Sequence, residues 1–577
     1  MRKLLTLALS ILMVLTLIPV AGISAFAEDT NFIYEDYGEF IAIAGYNGTV
    51  PENLVIPSEI NGLPVEEIEY DAFYECDELK SVVIPNSVTY IGAYAFSMCT
   101  NLTSVTFSKN LQIIEDSAFY GSDLTSITVP DSVYSLGDMV FADCADLSKI
   151  KLPAGLDYIG EDILFGTAYY NNKANWENNA LYVDNYLIST GHYYLDDEIF
   201  DYVYDWRVSG DFKIKEGTKR IVEYAFWGNE EITSVTIPSS VDMIPDGIFG
   251  YCTALKSVTI PDTVSHIGSD AFTDCTSLKS ITIPESITSI EDMAFYNCTA
   301  LETIKLPNTI EYIGCDSFYN TAFFNNKANW DKDNVLYLDK YLIGGVHFEY
   351  GDDGTIFNHG VSGDYTVKSG TKVIAEYAFW ECDDLTSITI PSSVKEIAYG
   401  AFSCCDKLVS VSLPNSIEMI GVDAFYDCPS LTAITIPASV EVISDCAFLD
   451  CFNLKEITIL NKDVYISDEA IGYYYNLDDE GYWQTTVEGL VIKGYKDSTA
   501  EEYALDNGFE FSEIQSKLGD CNMDGSVNGK DVLALRKHIV GFQVNIDLSA
   551  ADCTGDGNIN GKDVLQLRKA IIGLVTL

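Results

Sequence analysis

Two stretches near the end of the chain hold the residues best suited to chemistry. GDCNMDGSVNGKDVLALRKHIVG and ADCTGDGNINGKDVLQLRKAIIG are one text written twice, displaced by 32 residues, and each opens on a 12-residue loop. In the first loop Asp520, Asn522 and Asp524 stand at positions 1, 3 and 5, Gly525 at 6, Ser526 at 7, Asn528 at 9 and Asp531 at 12. Asp552, Thr554, Asp556, Gly557, Asn558, Asn560 and Asp563 repeat the set. Carboxylate, amide and hydroxyl oxygens at alternate positions around a sharp glycine turn are the hard ligands that calcium takes, so the spacing predicts one calcium ion per loop. Thr554 offers a hydroxyl where Asn or Asp is usual, which predicts weaker binding in the second loop.

Each loop runs into a helical pattern. Val532, Leu533, Leu535, Ile539 and Val540 form the apolar set of the first, Val564, Leu565, Leu567, Ile571 and Ile572 that of the second, with Gly541 and Gly573 as stops. These residues are expected to pack helix on helix and leave the lysines and arginines outward. Position 12 is Asp rather than the Glu of an EF-hand, and no helix precedes either loop, so only the loop–helix half of that motif is present. Over residues 519–577 the pair resembles a type I dockerin domain, the plug by which secreted proteins dock onto cohesin modules of a cellulosome scaffold. The resemblance implies a cohesin partner. It places the contact on Gly529, Lys530, Arg536 and Lys537 and, in the second copy, on Gly561, Lys562, Arg568 and Lys569. Both copies keep the same letters, so either face can dock after a half-turn.

Upstream, a different text repeats every 23 residues: IPDTVSHIGSDAFTDCTSLKSIT is followed by IPESITSIEDMAFYNCTALETIK. The Phe of the Ala-Phe pair marks the phase at Phe73, Phe96, Phe119, Phe141, Phe165, Phe226 and on to Phe448, with a degenerate last copy at Ile471. A fixed period of this length means one supersecondary unit stacked on itself, because no single unit buries its apolar side alone. Two gaps of 61 residues read as one period plus an insertion, about 169–219 and 323–372, and the matching TAYYNNKANW and TAFFNNKANW mark a duplicated block. Within a unit, Leu278, Ile281 and Ile283 alternate as in a strand, which Pro284 ends. From residue 31 to 511 the pattern resembles the BspA-type leucine-rich repeats, and the resemblance implies an extracellular solenoid that binds a ligand.

The expected fold class is therefore a β-rich α/β solenoid of about 15 coils with two inserts, followed by a small all-α calcium-binding domain. The expected boundaries are a signal peptide over 1–27, an N-terminal cap over 28–57, coils over 58–458, a C-terminal cap over 459–513 with a short helix from Ser498 to Leu505, and linker plus dockerin over 514–577. Arg2 and Lys3, the apolar run after them and Ala25-Phe26-Ala27 make the leader a secretory signal, so the protein is expected to be extracellular. No later stretch reaches the ~20 apolar residues of a membrane span, and attachment to a surface is expected to be non-covalent.

The 33 basic against 87 acidic residues give a net charge of −54, which repels nucleic acid and anionic membranes and attracts calcium and cationic partners. Of the 15 cysteines, Cys252, Cys275 and Cys298 are 23 apart, as are Cys382, Cys405, Cys428 and Cys451. One cysteine at the same phase in successive coils predicts a buried ladder of reduced thiols rather than a disulfide framework. Cys315, Cys404 and Cys446 fall off that phase.

The inserts are rich in aromatic residues. Trp176 and Trp330, in matching NNKANW segments, are candidate ligand-binding residues, since aromatic faces stack on sugars and anchor protein interfaces; the plainer reading is a small satellite core. His192 and His347 have no ligand spacing around them. The function expected is a non-catalytic secreted binding protein, docked through calcium and cohesin, whose solenoid holds an unknown glycan or protein. Two alternatives are a dockerin-borne polysaccharide-active enzyme with an unrecognised carboxylate pair, and a protease inhibitor or host-matrix adhesin.

Overall fold

The computed structural model describes residues 25–26, 31–196, 201–345, 348–350, 356–358, 360–478, 481–514, 517–522, 526–542, 544, 546 and 548–577. The expected signal peptide lies outside them apart from Ala25 and Phe26, as do Asp524, Gly525 and His347. The chain forms two units, Met1–Val264 and Ser265–Leu577.

In the second unit each coil supplies two short strands. Ser280–Thr282 pairs parallel with Thr303–Lys305, so Ile281 lies against Ile304. Ser289–Ile290 lies between His266–Ile267 and Tyr312–Ile313 in the same way. The constant offset of 23 puts like residue beside like residue, which is why the apolar letters recur without drift. Pro284 cannot donate to a ladder; its carbonyl instead accepts from the Ile287 N–H at 3.2 Å and turns the chain.

The third side of the coil has no strand. Phe272 N–H donates to the Ala294 carbonyl and Phe295 N–H to the Ser317 carbonyl, both at 2.8 Å. This lattice needs residues in the left-handed region on either side of each Ala-Phe pair: Asp270 and Asp274 have φ of 54° and 56°, Met293 and Asn297 of 52° and 56°. Such backbone costs an L-residue about 1–2 kcal/mol and is best tolerated by Asn, Asp and Gly, hence the abundance of those letters there. The off-phase Cys404 and Cys446 occupy two of these positions, with φ of 57° and 55°.

Inside, the phenylalanines form a column. Phe272 and Phe295 stack at 5.0 Å between centroids, Phe295 and Phe318 at 5.6 Å, with planes within 5°. The cysteine ladder runs beside it, and thiols along it donate to the carbonyl of the Phe one coil earlier: Cys298 to Phe272 at 3.1 Å, Cys428 to Phe402 at 3.1 Å, Cys451 to Phe425 at 3.0 Å; Cys382, after the second insert, donates to the Gly345 carbonyl instead. All fifteen cysteines are free. A thiol therefore does at this place what alanine cannot, since it satisfies a buried carbonyl. The last coil continues through Glu456–Ile459, Val491–Gly494 and Glu510–Glu513 in parallel register, and a helix Thr499–Asp506, capped by Ser498, packs against them.

The first unit begins with the antiparallel pair Phe32–Asp36 and Ile41–Tyr46, whose second strand runs parallel to Leu63–Ile68 and so starts the stack. Two readings of the sequence are corrected here. The Phe column passes through Leu164, not Phe165: the N–H of Phe141 donates to the Ile163 carbonyl and that of Asp143 to the Phe165 carbonyl, so Leu164 turns inward, fully buried, and Phe165 is left half-buried. The inserts also do not interrupt the array. Tyr186–Ser189 pairs parallel with Arg220–Ile221, and Gly210–Lys213 with Ile232–Thr236. The first insert thus contributes a coil of its own, from which the hairpin Gly191–Asp196 and Asp201–Arg207 extends. The second insert does the same with Tyr341–Gly344 on Val373–Ile374 and Gly363–Thr366 on Leu385–Thr389.

Candidate functional site

The two C-terminal helices, Gly529–Ile539 and Gly561–Ile571, are set by capping boxes. Asn528 caps the first, its side chain accepting from the Lys530 N–H at 2.8 Å, while the Asp531 carboxylate reaches back to the Asn528 N–H at 2.7 Å. Asn560 and Asp563 do the same for the second at 3.0 and 2.8 Å. Each box satisfies orphan donors of the first turn, and it also fixes loop positions 9 and 12 beside each other. Gly541 and Gly573 end the helices with φ of 86° and 74°. The Phe542 and Leu574 N–H groups fold back to the Lys537 and Lys569 carbonyls, as glycine-terminated helices do.

The loops gather their oxygens. In the second, Asp552 accepts from the N–H groups of Asp556 at 3.1 Å and Gly557 at 2.7 Å, with Gly557 at φ 78° making the turn. Asp563 accepts from the Thr554 N–H at 3.0 Å and from its hydroxyl at 2.8 Å. Burial pushes the buried Asp563 carboxyl up, but these N–H and hydroxyl donors outweigh it and hold it below its ordinary value. In the first loop Asp531, fully buried, accepts from the Asn522 N–H at 3.2 Å, and Ser526 and Asn528 follow in the turn; Asp524 lies outside the described residues. Carboxylate, amide and hydroxyl oxygens without an imidazole in the set fit calcium rather than a softer metal. As they stand, the carboxylates are turned onto backbone donors, and among the described residues no three His, Cys, Asp or Glu side chains are gathered closely enough to hold a metal.

The helix surface departs from expectation. The two helices meet through a small core of Cys521, Leu535, Ala551, Cys553 and Leu567, with Val532 and Val564 half-buried against it. Leu533 and Leu565 are each 54% exposed, and Val540 and Ile572 each 69%. They do not pack helix on helix, because a two-helix module has one seam and Val532 and Leu535 already fill it. Leu533, Arg536, Lys537 and Val540 follow the i, i+3, i+4, i+7 spacing of one helix face, and Leu565, Arg568, Lys569 and Ile572 repeat it. The predicted basic residues therefore stand in a face whose other half is apolar, a feature the spacing carried and the sequence reading missed. Gly529, Lys530, Gly561 and Lys562 are exposed at the helix starts, and Lys562 pairs with Asp556 at 3.3 Å.

The insert tryptophans are turned inward. Trp176 is 9% exposed, its indole N–H donating to the Tyr170 carbonyl at 2.7 Å, and it belongs to the main core of the first unit, so it offers no face to a ligand. Trp330, half-buried, donates likewise to the Phe324 carbonyl at 2.7 Å. His192 is buried between Tyr170 and Trp206, at 4.9 and 4.4 Å. No helix among the described residues is long and apolar enough to cross a membrane.

Two family models match this chain. The BspA type leucine rich repeat region matches in 6 copies over residues 66–190, 198–334 and 362–480, about two thirds of the chain, and the dockerin type I domain matches residues 518–572. Among solved structures, a leucine-rich repeat protein from Bacteroides ovatus is 20% identical over 85% of this chain and 100% of its own, with a TM-score of 0.25. The leucine rich repeat protein of T. pallidum is 26% identical over 43% and 88%, with a TM-score of 0.22. A leucine rich cell surface protein from Faecalibacterium prausnitzii is 22% identical over 76% and 95%, with a TM-score of 0.21. None of the curated proteins matches this chain. With its coils matched along most of their length and its loop–helix pair matched at the end, the chain belongs to the BspA-type leucine-rich repeat family and carries a C-terminal type I dockerin domain.

Proposed function

We propose that this is a non-catalytic secreted protein that docks, through its calcium-loaded dockerin, onto a cohesin module of an extracellular scaffold and presents its solenoid as a ligand-binding surface. A dockerin type I domain implies cohesin docking and a leucine-rich repeat array a binding surface. The observation that carries the rest is the doubled face of Leu533, Arg536, Lys537 and Val540 with Leu565, Arg568, Lys569 and Ile572: an apolar strip beside cations, repeated by the internal symmetry and left exposed. Apolar side chains supply affinity at an interface and cations supply register and partner choice. A chain of net charge −54 concentrates cations on this face, so the partner surface is acidic.

Asp520, Asn522, Asp524, Ser526, Asn528 and Asp531 hold one calcium ion, and Asp552, Thr554, Asp556, Asn558, Asn560 and Asp563 a second. Loading draws the carboxylates off the backbone donors they now satisfy. It also competes with Lys562 for Asp556, which frees that lysine for the partner. The test is calcium-switched capture: immobilise the full-length protein, pass the extracellular proteins of the producing cell over it, and elute with chelator. A cohesin-bearing scaffold in the eluate supports the reading; no such protein, with calcium binding shown by calorimetry, sinks it.

A further inference from the structure

The duplicated block allows one region of the protein to be compared with another. In the first unit the corner after Leu164 is closed by a phenol: the ring of Tyr193 stacks on Phe165 at 5.2 Å, and its hydroxyl donates to the Asp162 carboxylate. In the second unit Asp316 and Tyr319 take the places of Asp162 and Phe165, as the matching helix caps Thr167 and Thr321 fix. The ring geometry is nearly the same, Tyr319 meeting Phe324 at 5.2 Å and 55° where Phe165 meets Tyr170 at 5.8 Å and 57°. The residue after the matching histidine, however, is Phe348, which has no hydroxyl to give. Asp316 is exposed, no group among the described residues donates to its carboxylate, and it borders a cleft of about 610 Å³.

That cleft has two kinds of wall. Trp380, 37% exposed, lines the cleft and stands edge-on to Tyr377 at 6.4 Å. In the first unit the corresponding Trp227 lies over Gly250, where an added Cβ would meet ring atoms at 2.1 Å. Ser403 holds that position in the second unit, so Trp380 is tilted differently, although the two rings are about equally exposed, Trp227 at 36% and Trp380 at 37%. The polar wall is Asp316, Glu376 and Asp423, and no Lys, Arg or His is among the described lining residues.

We propose that this cleft binds a neutral carbohydrate chain, one sugar ring lying on Trp380 and its hydroxyls bonding to Asp316, Glu376 and Asp423. The proposal rests on the reading of the solenoid as a ligand-binding surface and gives that surface a location and a ligand class. The apolar face of a pyranose matches an exposed indole, and the first unit already satisfies the same corner with a ring that carries a hydroxyl. A wall without cations turns away phosphate, sulfate and uronate groups. Burial, with the nearby Asp292, pushes the Glu376 carboxyl up to about 8, so at neutral pH it carries a proton to donate, while the carboxyl oxygens of the cleft can accept. A sugar hydroxyl needs both kinds of partner, and a lysine side chain would need acceptors alone.

The test uses the full-length protein and calorimetric titration with neutral hexose and pentose oligosaccharides, an acidic oligouronate and a lysine-rich peptide. Binding of a neutral oligosaccharide, weakened at least about tenfold in Trp380→Ala and in Asp316→Ala and restored in part by Trp380→Phe, is the expected result. The thermal transition of the coils in the same variants stays unchanged and reports that they fold, while unchanged cohesin capture reports that the docking half is untouched. Neutral-sugar binding that survives Trp380→Ala overturns this site while leaving the solenoid a binding surface. Binding of the lysine-rich peptide alone, or of none of the probes, overturns the carbohydrate assignment.

Discussion

Ile290 in the coils and Leu567 in the dockerin are both fully buried, but the company they keep differs. Ile290 lies between Ile267 and Ile313, each one period away, so its surroundings are copied from coil to coil. Among the described residues, Leu567 shares a core of only five buried residues with Cys521, Leu535, Ala551 and Cys553, closed by partly buried side chains such as Val532 and Val564. The coils obtain their stability from repetition of apolar contacts. The dockerin has little apolar surface for that, and the calcium proposed for its loops would supply part of its stability.

The comparison is broken most decisively by chelation. Free calcium at about 1000 times its Kd stabilises a site by about 4 kcal/mol, so its removal should unfold the dockerin and leave the coils folded. Limited proteolysis in excess chelator is expected to cut within 514–577 only. Cuts spread through the coils, or no new cuts at all, would remove the distinction.

The reverse experiment deletes a copied contact. Phe295→Ala removes the ring between Phe272 and Phe318 and should cost about 3–5 kcal/mol. Because each coil touches only its neighbours, the loss should be local and split the thermal transition of the array. Calorimetry checks the split, and calcium binding by the dockerin should stay as it was.

Acid sharpens the contrast, since the coils stack carboxyl groups as they stack everything else. Burial, followed by like charges nearby, raises Glu223 to about 7, and burial raises Glu376 to about 8 and Glu396 to about 7. A raised carboxyl holds its proton in the folded state and releases it on unfolding. The penalty is therefore absent below about pH 4.5, grows as pH rises, and is complete above about pH 8. The coils should be more stable at pH 5 than at pH 8, and Glu376→Gln should recover about 1–2 kcal/mol at pH 8 and nothing at pH 4.5. Thermal melts across that window decide it. The dockerin should gain nothing from acid across that window and lose stability only below about pH 4, because its Asp563 carboxyl is held below its ordinary value.

The same contrast explains what the sequence disclosed. Where one residue copies another, the letters suffice: the Phe column, the thiol ladder and the loop spacing are legible because a period constrains each position many times over. Legibility fails where the copy is imperfect. Leu164 and Phe165 are adjacent and both apolar, and only the hydrogen bond to the Ile163 carbonyl decides which turns inward. Tyr186–Ser189 and Gly210–Lys213 lack the proline and Ala-Phe that mark the repeat, yet they pair in register, since strand pairing is a backbone matter that many side chains tolerate. The exposed Leu533 and Val540 look like core in composition, and the size of the module, which allows one seam, leaves them outside.

The smallest effect separates the two loops of the dockerin from each other. In the second loop the Thr554 hydroxyl donates to Asp563 at 2.8 Å, in addition to the backbone donors that both loops share. An ion entering that loop must displace this hydroxyl from a carboxylate it needs, and it gains only a neutral ligand in return. Thr554→Asp removes the donor and adds a charged oxygen at position 3, so the second loop should bind calcium about tenfold more tightly, a gain of about 1.4 kcal/mol. Asn522→Thr in the first loop should lose a similar amount. Calcium titration of the full-length protein followed by calorimetry would resolve the two sites in the native chain and bring them together in Thr554→Asp. If the native sites already titrate as one, the hydroxyl costs nothing, and the loops differ in letters alone.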